Sequence, residues 1–600
     1  MALGVWTILR GPFTYTPSFW GQGASWIACA LEAAEAVLVA YLGYRLRSYV
    51  ILLCGLGQLG LTVAEEVCRL RNPVLFQAPR FVLDSLSLVL VMIICIVGSF
   101  IVIFALSYMK RHEEHAPAGA ASNRLFFLFL ISFLGFMNGV ALSDTIQIFI
   151  IFWEATTFCS FALIAHDRTP EAMTSAKRAL LITALGGTGN IIGSVISLAA
   201  YGAPTITGLM TAHVLVPAAF FCVAALTKSA LLPFQSWLLA AMIAPTPVSA
   251  LLHSATMVKA GVYLILRLAP AFTNTMLMSV LALIGAFSFA LAAGLAIGQS
   301  NAKRVLAYST ISNLGLIVAC AAMNRHLALA AALMVFCFHA LSKGLLFLCV
   351  GTIEQRIGSR DIEDMGGVRF LMPFTTTITL IGMASMLIPP FGMLLSKWMA
   401  IEAAVDSPII LILLVAGSAL TVVFWVKWMG RIQTVSYHPE EKREELAAPA
   451  RLVLLSLAVI IMIAGVTALL IQTYIFEPLV TSVFAGRLAP EAAARALVQL
   501  KAVGNLTVWP ILLILGLAFV AWRLTGYAVS WRHVRLPFLC GENVEQEGLF
   551  YSFYSLKDQP ETAWAASLYM TGVFDEGRIT PWANLLAGLL VLSLLTMAGQ

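Results

Sequence analysis

Residues 85–109, SLSLVLVMIICIVGSFIVIFALSYM, contain no charged side chain. About 20 apolar residues in a helix cross the hydrocarbon core of a bilayer, and this run is long enough. Such runs recur along the whole chain, at roughly 26–45, 48–68, 84–108, 124–142, 145–165, 178–201, 214–240, 246–269, 275–298, 303–323, 327–352, 371–401, 408–428, 451–473, 507–527 and 583–599. Backbone polar groups in lipid must be satisfied within the protein, which leaves only helices or closed barrels. The period-2 alternation of a barrel is absent. The expected fold is therefore an all-α polytopic membrane protein of roughly 16 transmembrane helices.

Composition agrees, with 60% hydrophobic residues, 11% charged residues and a mean hydropathy of +0.91. A soluble domain carries about one quarter charged residues. The net charge of +6 comes from basic residues in short loops, and no Lys/Arg tract interleaved with aromatics points to a nucleic acid. The ten cysteines are scattered and form no C-x-x-C pair, so no iron–sulfur, zinc or other cofactor site is expected in this chain. The N-terminal MALGVWTILRGPFTYTPSFWGQGASW lacks the layout of a cleaved signal, and the first span is expected to be retained.

Loop charges orient the spans. If the first loop, with Arg45 and Arg47, is cytoplasmic, the loops on that side also hold Lys110, Arg111, Arg168, Arg360 and Arg431. The opposite loops are poorer in basic residues by about threefold, as the positive-inside rule requires. Both termini are then expected outside, and the location is a prokaryotic inner membrane.

Two spans are too long and hold prolines in their middles. One is 214–240, with Pro233; the other is 371–401, with Pro389 and Pro390. Lys228 and Lys397 lie near these breaks. Paired broken helices in two halves point to a transporter built from inverted repeats. The expected organisation is N-terminal helices over 1–123, a first repeat over 124–269, a second over 275–428, and C-terminal helices with a polar cytoplasmic segment over 430–600.

Each ionisable group at the bilayer centre costs about 2.5–3.5 kcal/mol on insertion scales. This chain places there Glu154, Lys228, His253, Lys259, His339, Lys343 and Lys397, with Lys303 and Arg304 at a cytoplasmic edge. His339 and Lys343 are four apart and share a helix face. His253 and Lys259 are six apart, about 120° off on a regular helix, so alignment requires a bend; without one they reach two neighbouring helices. Plainer readings exist: a static Glu154–lysine pair, a satisfied core His253, snorkelling Lys259 and Lys397, an anchoring Lys303–Arg304. Together they would need several independent costly charges at similar depth. A dry site disfavours the ammonium and a nearby carboxylate favours it, so a lysine paired with a movable carboxylate loads and unloads a proton.

The stretches FWEATTFCSFALI, TKSALLPFQSWLLAAMIAPTPVSALLHSATMVKAGVYLILR, KRVLAYSTISNLGLI, FHALSKGLLFL and PPFGMLLSKW resemble the antiporter-like subunits of respiratory complex I and of Mrp-type cation/proton antiporters. The likeness covers about residues 80–430. GSALTVVFWVKWMG and RLPFLCGENVEQEGLFYS are most similar to the large membrane subunit of Ech-type energy-converting [NiFe] hydrogenases, or to a sister hydrogenase subunit. The resemblance implies a relay through Glu154, Lys228, His253, Lys259, Lys303, His339, Lys343 and Lys397, with hinges at Pro233, Pro389 and Pro390. It also implies partner subunits that carry a [NiFe] centre and iron–sulfur clusters, in a ferredoxin-linked, hydrogen-evolving complex. The chain would then be a non-catalytic proton- or sodium-translocating subunit. Three positions depart from the family pattern: Val335 stands where some members have a histidine, Gly187 where some have an acid nearby, and Asn301 where an acid occurs. Residues 528–582 lack the long amphipathic period of a lateral helix, which favours a small complex with one pumping subunit. An Mrp-type Na⁺/H⁺ antiporter subunit, a complex I L-type subunit and a static membrane scaffold are the alternatives.

Overall fold

The computed structural model describes residues 12–16, 21–45, 49–71, 79–114, 121–212, 214–389, 391–433, 444–484 and 572–598, with short pieces elsewhere after 516. The expected span at 507–527, Leu517 excepted, and the segment 535–543 of the hydrogenase-like stretch lie outside the described residues, as does Pro390.

The architecture is helical. The helices used below are α1 Gly21–Arg45, α2 Tyr49–Arg71, α3 Ser85–Glu114, α4 Asn123–Leu142, α5 Ile146–Ile164, α6 Pro170–Tyr201, α7 Leu215–Lys228, α8 Ser236–Ala240, α9 Thr246–Ser254, α10 Met257–Leu268, α11 Met276–Ile297, α12 Ala302–Met323, α13 His326–Ile357, α14 Pro373–Ser385, α15 Gly392–Ala403, α16 Pro408–Gln433, α17 Ala448–Val466 and α18 Glu576–Met597. Eleven helical segments among the described residues are long and apolar enough to cross a membrane, and four shorter apolar helices accompany them. This is compatible with the expected count. A small antiparallel pair, Phe13–Tyr15 with Phe81–Leu83, ties the chain start to the entry of α3.

Local signals set the helix ends. Ser122 and Thr169 accept from the amides of Leu125 and Ala172 at the starts of α4 and α6, and Pro170 occupies the first turn of α6. That cap starts α6 eight residues before the expected 178. Asn301 caps α12 by accepting from the Arg304 amide. The position that departs from the family pattern thus has a structural role here.

Both broken spans are present, and each break begins upstream of its proline. A proline ring clashes with the carbonyl of residue i−4 and lacks an N–H. Helix α7 accordingly ends at Lys228, with Ser229 (four before Pro233) as its cap. Helix α14 ends at Ser385, four before Pro389, and α15 resumes at Gly392. A third break, not marked by proline, separates α9 from α10 at Ala255 and Thr256. It lies between His253 and Lys259, where a bend is one of the two ways to accommodate their spacing, the other being contact with two neighbouring helices.

Burial sorts the helices. The most apolar windows of Thr246–Phe272 and Ala302–Met323 are wholly buried, whereas those of α16 and α18 are 28% and 22% buried. The former make the centre of the bundle; the latter present their flanks outward. Small residues permit the closest crossing: a Cβ on Gly285 would meet the backbone of Ala319 and Gly315, and one on Gly315 would meet the backbone of Gly285 and Phe289.

Candidate ion pathway

Five lysines are buried among the described residues; four of them, Lys228, Lys259, Lys343 and Lys397, are held by carbonyl or hydroxyl oxygens, and the fifth, Lys303, by a carboxylate. Lys228, at the end of α7, donates to the Trp153 carbonyl at 2.8 Å and to Thr157 Oγ1 at 2.7 Å, and its ammonium lies 4.8 Å from the centre of the Trp153 ring. Lys259 on α10 donates to the Phe336 carbonyl at 2.9 Å and lies 4.6 Å from that residue's ring centre. Lys343 on α13 donates to the Leu306 carbonyl at 3.0 Å and to Ser309 Oγ, with the Trp425 ring at 5.2 Å. Lys397 on α15 donates to Thr421 Oγ1 at 2.8 Å. Carbonyls, hydroxyls and aromatic faces thus bind the ammonium groups.

Glu154 lies on α5 between Trp153 and Thr157, the two residues that bind Lys228, and is buried. Its carboxylate packs where a Cβ on Gly187 of α6 would stand. The glycine at this departure from the family pattern therefore makes room for the acid of the neighbouring helix.

His253 and His339 are fully buried, and neither ring makes a hydrogen bond among the described residues. His253 packs on Phe347 with ring centres 4.9 Å apart. His339 is within electrostatic reach of Lys259, Lys343 and His253, so it sits where the charges of α9, α10 and α13 converge. The turn after Lys228 is joined to the Lys259 turn, because Ser229 Oγ donates to the Val258 carbonyl at 2.9 Å.

The structure separates the two residues read as a cytoplasmic anchor. Lys303 is 1% exposed and pairs with Glu354 Oε2 at 2.8 Å, a carboxylate that also takes Arg360. Arg304 instead reaches Glu576 at the start of α18, at 2.5 Å. Sequence reasoning missed Glu354. It lies near the polar end of α13 and reads as a snorkelling surface acid. The serine and threonine partners Thr157, Ser309 and Thr421 were also missed, since hydroxyls are unremarkable in a span.

At the opposite end Arg267 pairs with Asp84 and donates to Tyr263 Oη at 2.9 Å, while Tyr263 donates to the Ala141 carbonyl at 2.7 Å. Burial pushes the Asp84 carboxyl up, but Arg267 and the Ser87 hydrogen bonds hold it below the usual carboxylate range. Arg80 and Thr207 meet in the same way on Asp144. These contacts latch α3, α4 and α10 together at one face.

Comparison with known proteins adds three findings. The family described as NADH:quinone oxidoreductase/Mrp antiporter, TM, matches residues 143–423, and the family described as NADH-ubiquinone oxidoreductase (complex I), chain 5 N-terminus, matches residues 78–117. The Na(+)/H(+) antiporter subunit A1 of Staphylococcus aureus, strains JH9 and Newman, is 35% identical over 444 residues, covering 67% of this chain and 54% of the relative. The chain spans about half the length of the curated relatives it matches. Among solved structures, a chain of the Mrp complex from Dietzia sp. DQ12-45-1b has TM-score 0.61 at 18% identity, covering 80% of this chain and 99% of the other. A chain of the archaeal membrane-bound sulfane sulfur reductase has TM-score 0.61 at 20% identity, covering 79% and 99%. At such identities these two likenesses show the fold.

Proposed function

We propose, from the premise that the chain belongs to the complex I/Mrp antiporter-like subunit family, that it is an ion-translocating subunit of a multisubunit membrane complex. The observation that carries the reading is the row of buried lysines, each within 3 Å of a carbonyl or hydroxyl oxygen on a neighbouring segment. Breaking a buried pair by removing one partner costs about 3–5 kcal/mol. When Glu154 moves away from the turn that binds Lys228, the ammonium loses its counter-charge and releases its proton toward α9 and α10. His253 and His339 offer ring nitrogens between Lys259 and Lys343. Lys397, beyond the second break, is the proposed exit station. Lys303, fixed by Glu354 at the edge, acts through charge. The freed carbonyls around Pro233 and Pro389 supply the hinges.

For partners, the first reading is a Na⁺/H⁺ antiport assembly, supported by the 35% identity to antiporter subunit A1. The second is a ferredoxin-linked hydrogenase complex, with the [NiFe] centre and iron–sulfur clusters in other subunits. It is supported by the GSALTVVFWVKWMG stretch, part of α16. Purifying the tagged chain from its native membrane and identifying the co-purifying subunits separates the two. In vesicles holding that complex, Glu154→Gln and Lys228→Ala should each abolish Na⁺- or redox-driven proton movement while assembly persists. Undiminished proton movement in both variants would overturn the relay.

A further inference from the structure

The last turn of α3 and the loop after α5 bring together three side chains that the proposed pathway does not use. They are His112, His166 and Asp167, each offering a ligand atom within 4.8 Å of the others. We propose that these residues form a binding site for a divalent transition-metal ion of the zinc class. His112 Nε2 already lies 2.8 Å from Asp167 Oδ1. His166 is 3% exposed, and its ring offers a nitrogen within 4.8 Å of the ligand atoms of the other two. An imidazole packed inside the fold beside a second imidazole and a carboxylate presents the mixed nitrogen and oxygen donor set of a transition-metal site.

The surroundings fix the three groups. The His112 ring stacks on Tyr108, 6.2 Å between centres at 17°. The His166 ring meets Phe126 edge-on at 5.1 Å. The His166 carbonyl accepts from the Ala121 amide at 2.9 Å, which anchors the loop. In a tetrahedral site with bonds of about 2.0–2.1 Å, ligand atoms stand about 3.3 Å apart. Small side-chain rotations bring the three atoms to that spacing and leave the fourth position open. Two imidazoles and one carboxylate suit zinc and its transition-metal neighbours, whereas calcium and magnesium require oxygen ligands throughout. The positive-inside bias puts the cluster on the cytoplasmic face. A bound ion there pins the end of α3 to the end of α5, the helix that bears Glu154.

The test is calorimetric titration of Zn²⁺ into the complex purified through this chain, compared with the His112→Ala/His166→Ala double variant. Each ligand removed should weaken one Zn²⁺ site by at least about a hundredfold. Excess Mg²⁺ or Ca²⁺ should not compete. A double variant that binds Zn²⁺ as tightly as the parent overturns the site, and competition by Mg²⁺ or Ca²⁺ overturns its class. The parent protein gives a check that needs no variant. Zinc-edge X-ray absorption at one equivalent should show two imidazoles and oxygen in the first shell; a shell containing sulfur overturns the assignment.

Discussion

Lys228 donates to Thr157 Oγ1 at 2.7 Å, less than one helical turn from Glu154 on the same segment. The threonine hydroxyl has its own acceptor, the Trp153 carbonyl at 3.3 Å, which turns its lone pairs toward the ammonium. Glu154 and Thr157 therefore lie on one helix beside the Lys228 turn, and a shift of α5 moves both together.

Thr157→Val removes that hydroxyl at nearly constant volume. A hydrogen bond to a charged group contributes about 1.5–3 kcal/mol, so the loaded state of Lys228 loses that much. Proton movement in vesicles, followed by a pH-sensitive dye, should fall at least tenfold, and Thr157→Ser should retain most of it. Equal rates in the valine variant and the parent would show that the hydroxyl does not hold the loaded lysine.

Glu354 neutralises two cations at once, Lys303 and Arg360. Glu354→Gln leaves Lys303, 1% exposed, without a counter-charge, at a cost of about 3–5 kcal/mol. The midpoint of thermal unfolding in detergent should drop clearly. Lys303→Met in the same chain should recover much of the loss, because the uncompensated charge is gone. No recovery in the double variant would place the stabilisation elsewhere.

Much of this arrangement was legible in the sequence, for identifiable reasons. Lipid-length runs fixed the helices, and prolines marked two breaks. Their onset also follows from the sequence, since the clash reaches four residues back to Ser229 and Ser385. The six-residue gap between His253 and Lys259 left two readings, a bend or two neighbouring helices, and the place of the break was hidden. Neither Ala255 nor Thr256 is a helix breaker by type, yet Thr256 stands at φ −126°, ψ −103°, with its hydroxyl donating to the Leu251 carbonyl at 2.7 Å across the break. The role of Glu354 was hidden because its partner lies 51 residues earlier on another helix. The nearness of His112 to His166 and Asp167 was hidden in the same way. Long-range pairing of this kind leaves no periodic trace.

Two glycines separate a functional close approach from a structural one. A Cβ on Gly187 would meet the Glu154 carboxylate, the end of a side chain that can rotate away. A Cβ on Gly285 would meet the backbone of α12, which cannot. Gly187→Ala should therefore assemble at close to parental yield but move protons at least tenfold more slowly, because the carboxylate leaves its seat. Gly285→Ala should sharply lower the amount of chain recovered in the membrane. Immunoblotting and vesicle transport on the two variants read both outcomes, and a fully active Gly187→Ala would show that the seat of Glu154 is not critical.

The latch between Asp84 and Arg267 carries a pH dependence whose sign is fixed. Burial raises the Asp84 carboxyl, but Arg267 and the Ser87 hydrogen bonds outweigh it and hold the group below its ordinary value of 3.8. A depressed carboxylate stabilises the fold above its unfolded pKa, and that contribution is lost as pH falls through the folded one. Thermal stability in detergent should thus be insensitive to this pair near neutrality and decline below about pH 4. Asp84→Asn should lower stability at neutral pH, where the charged pair exists, and flatten the acid limb. Because Arg267 also holds Tyr263, whose hydroxyl fastens α10 to α4, amide exchange in α10 should rise along with that loss. An Asp84→Asn chain with the parental acid profile would show that other carboxylates govern the transition and that the latch is not an electrostatic one.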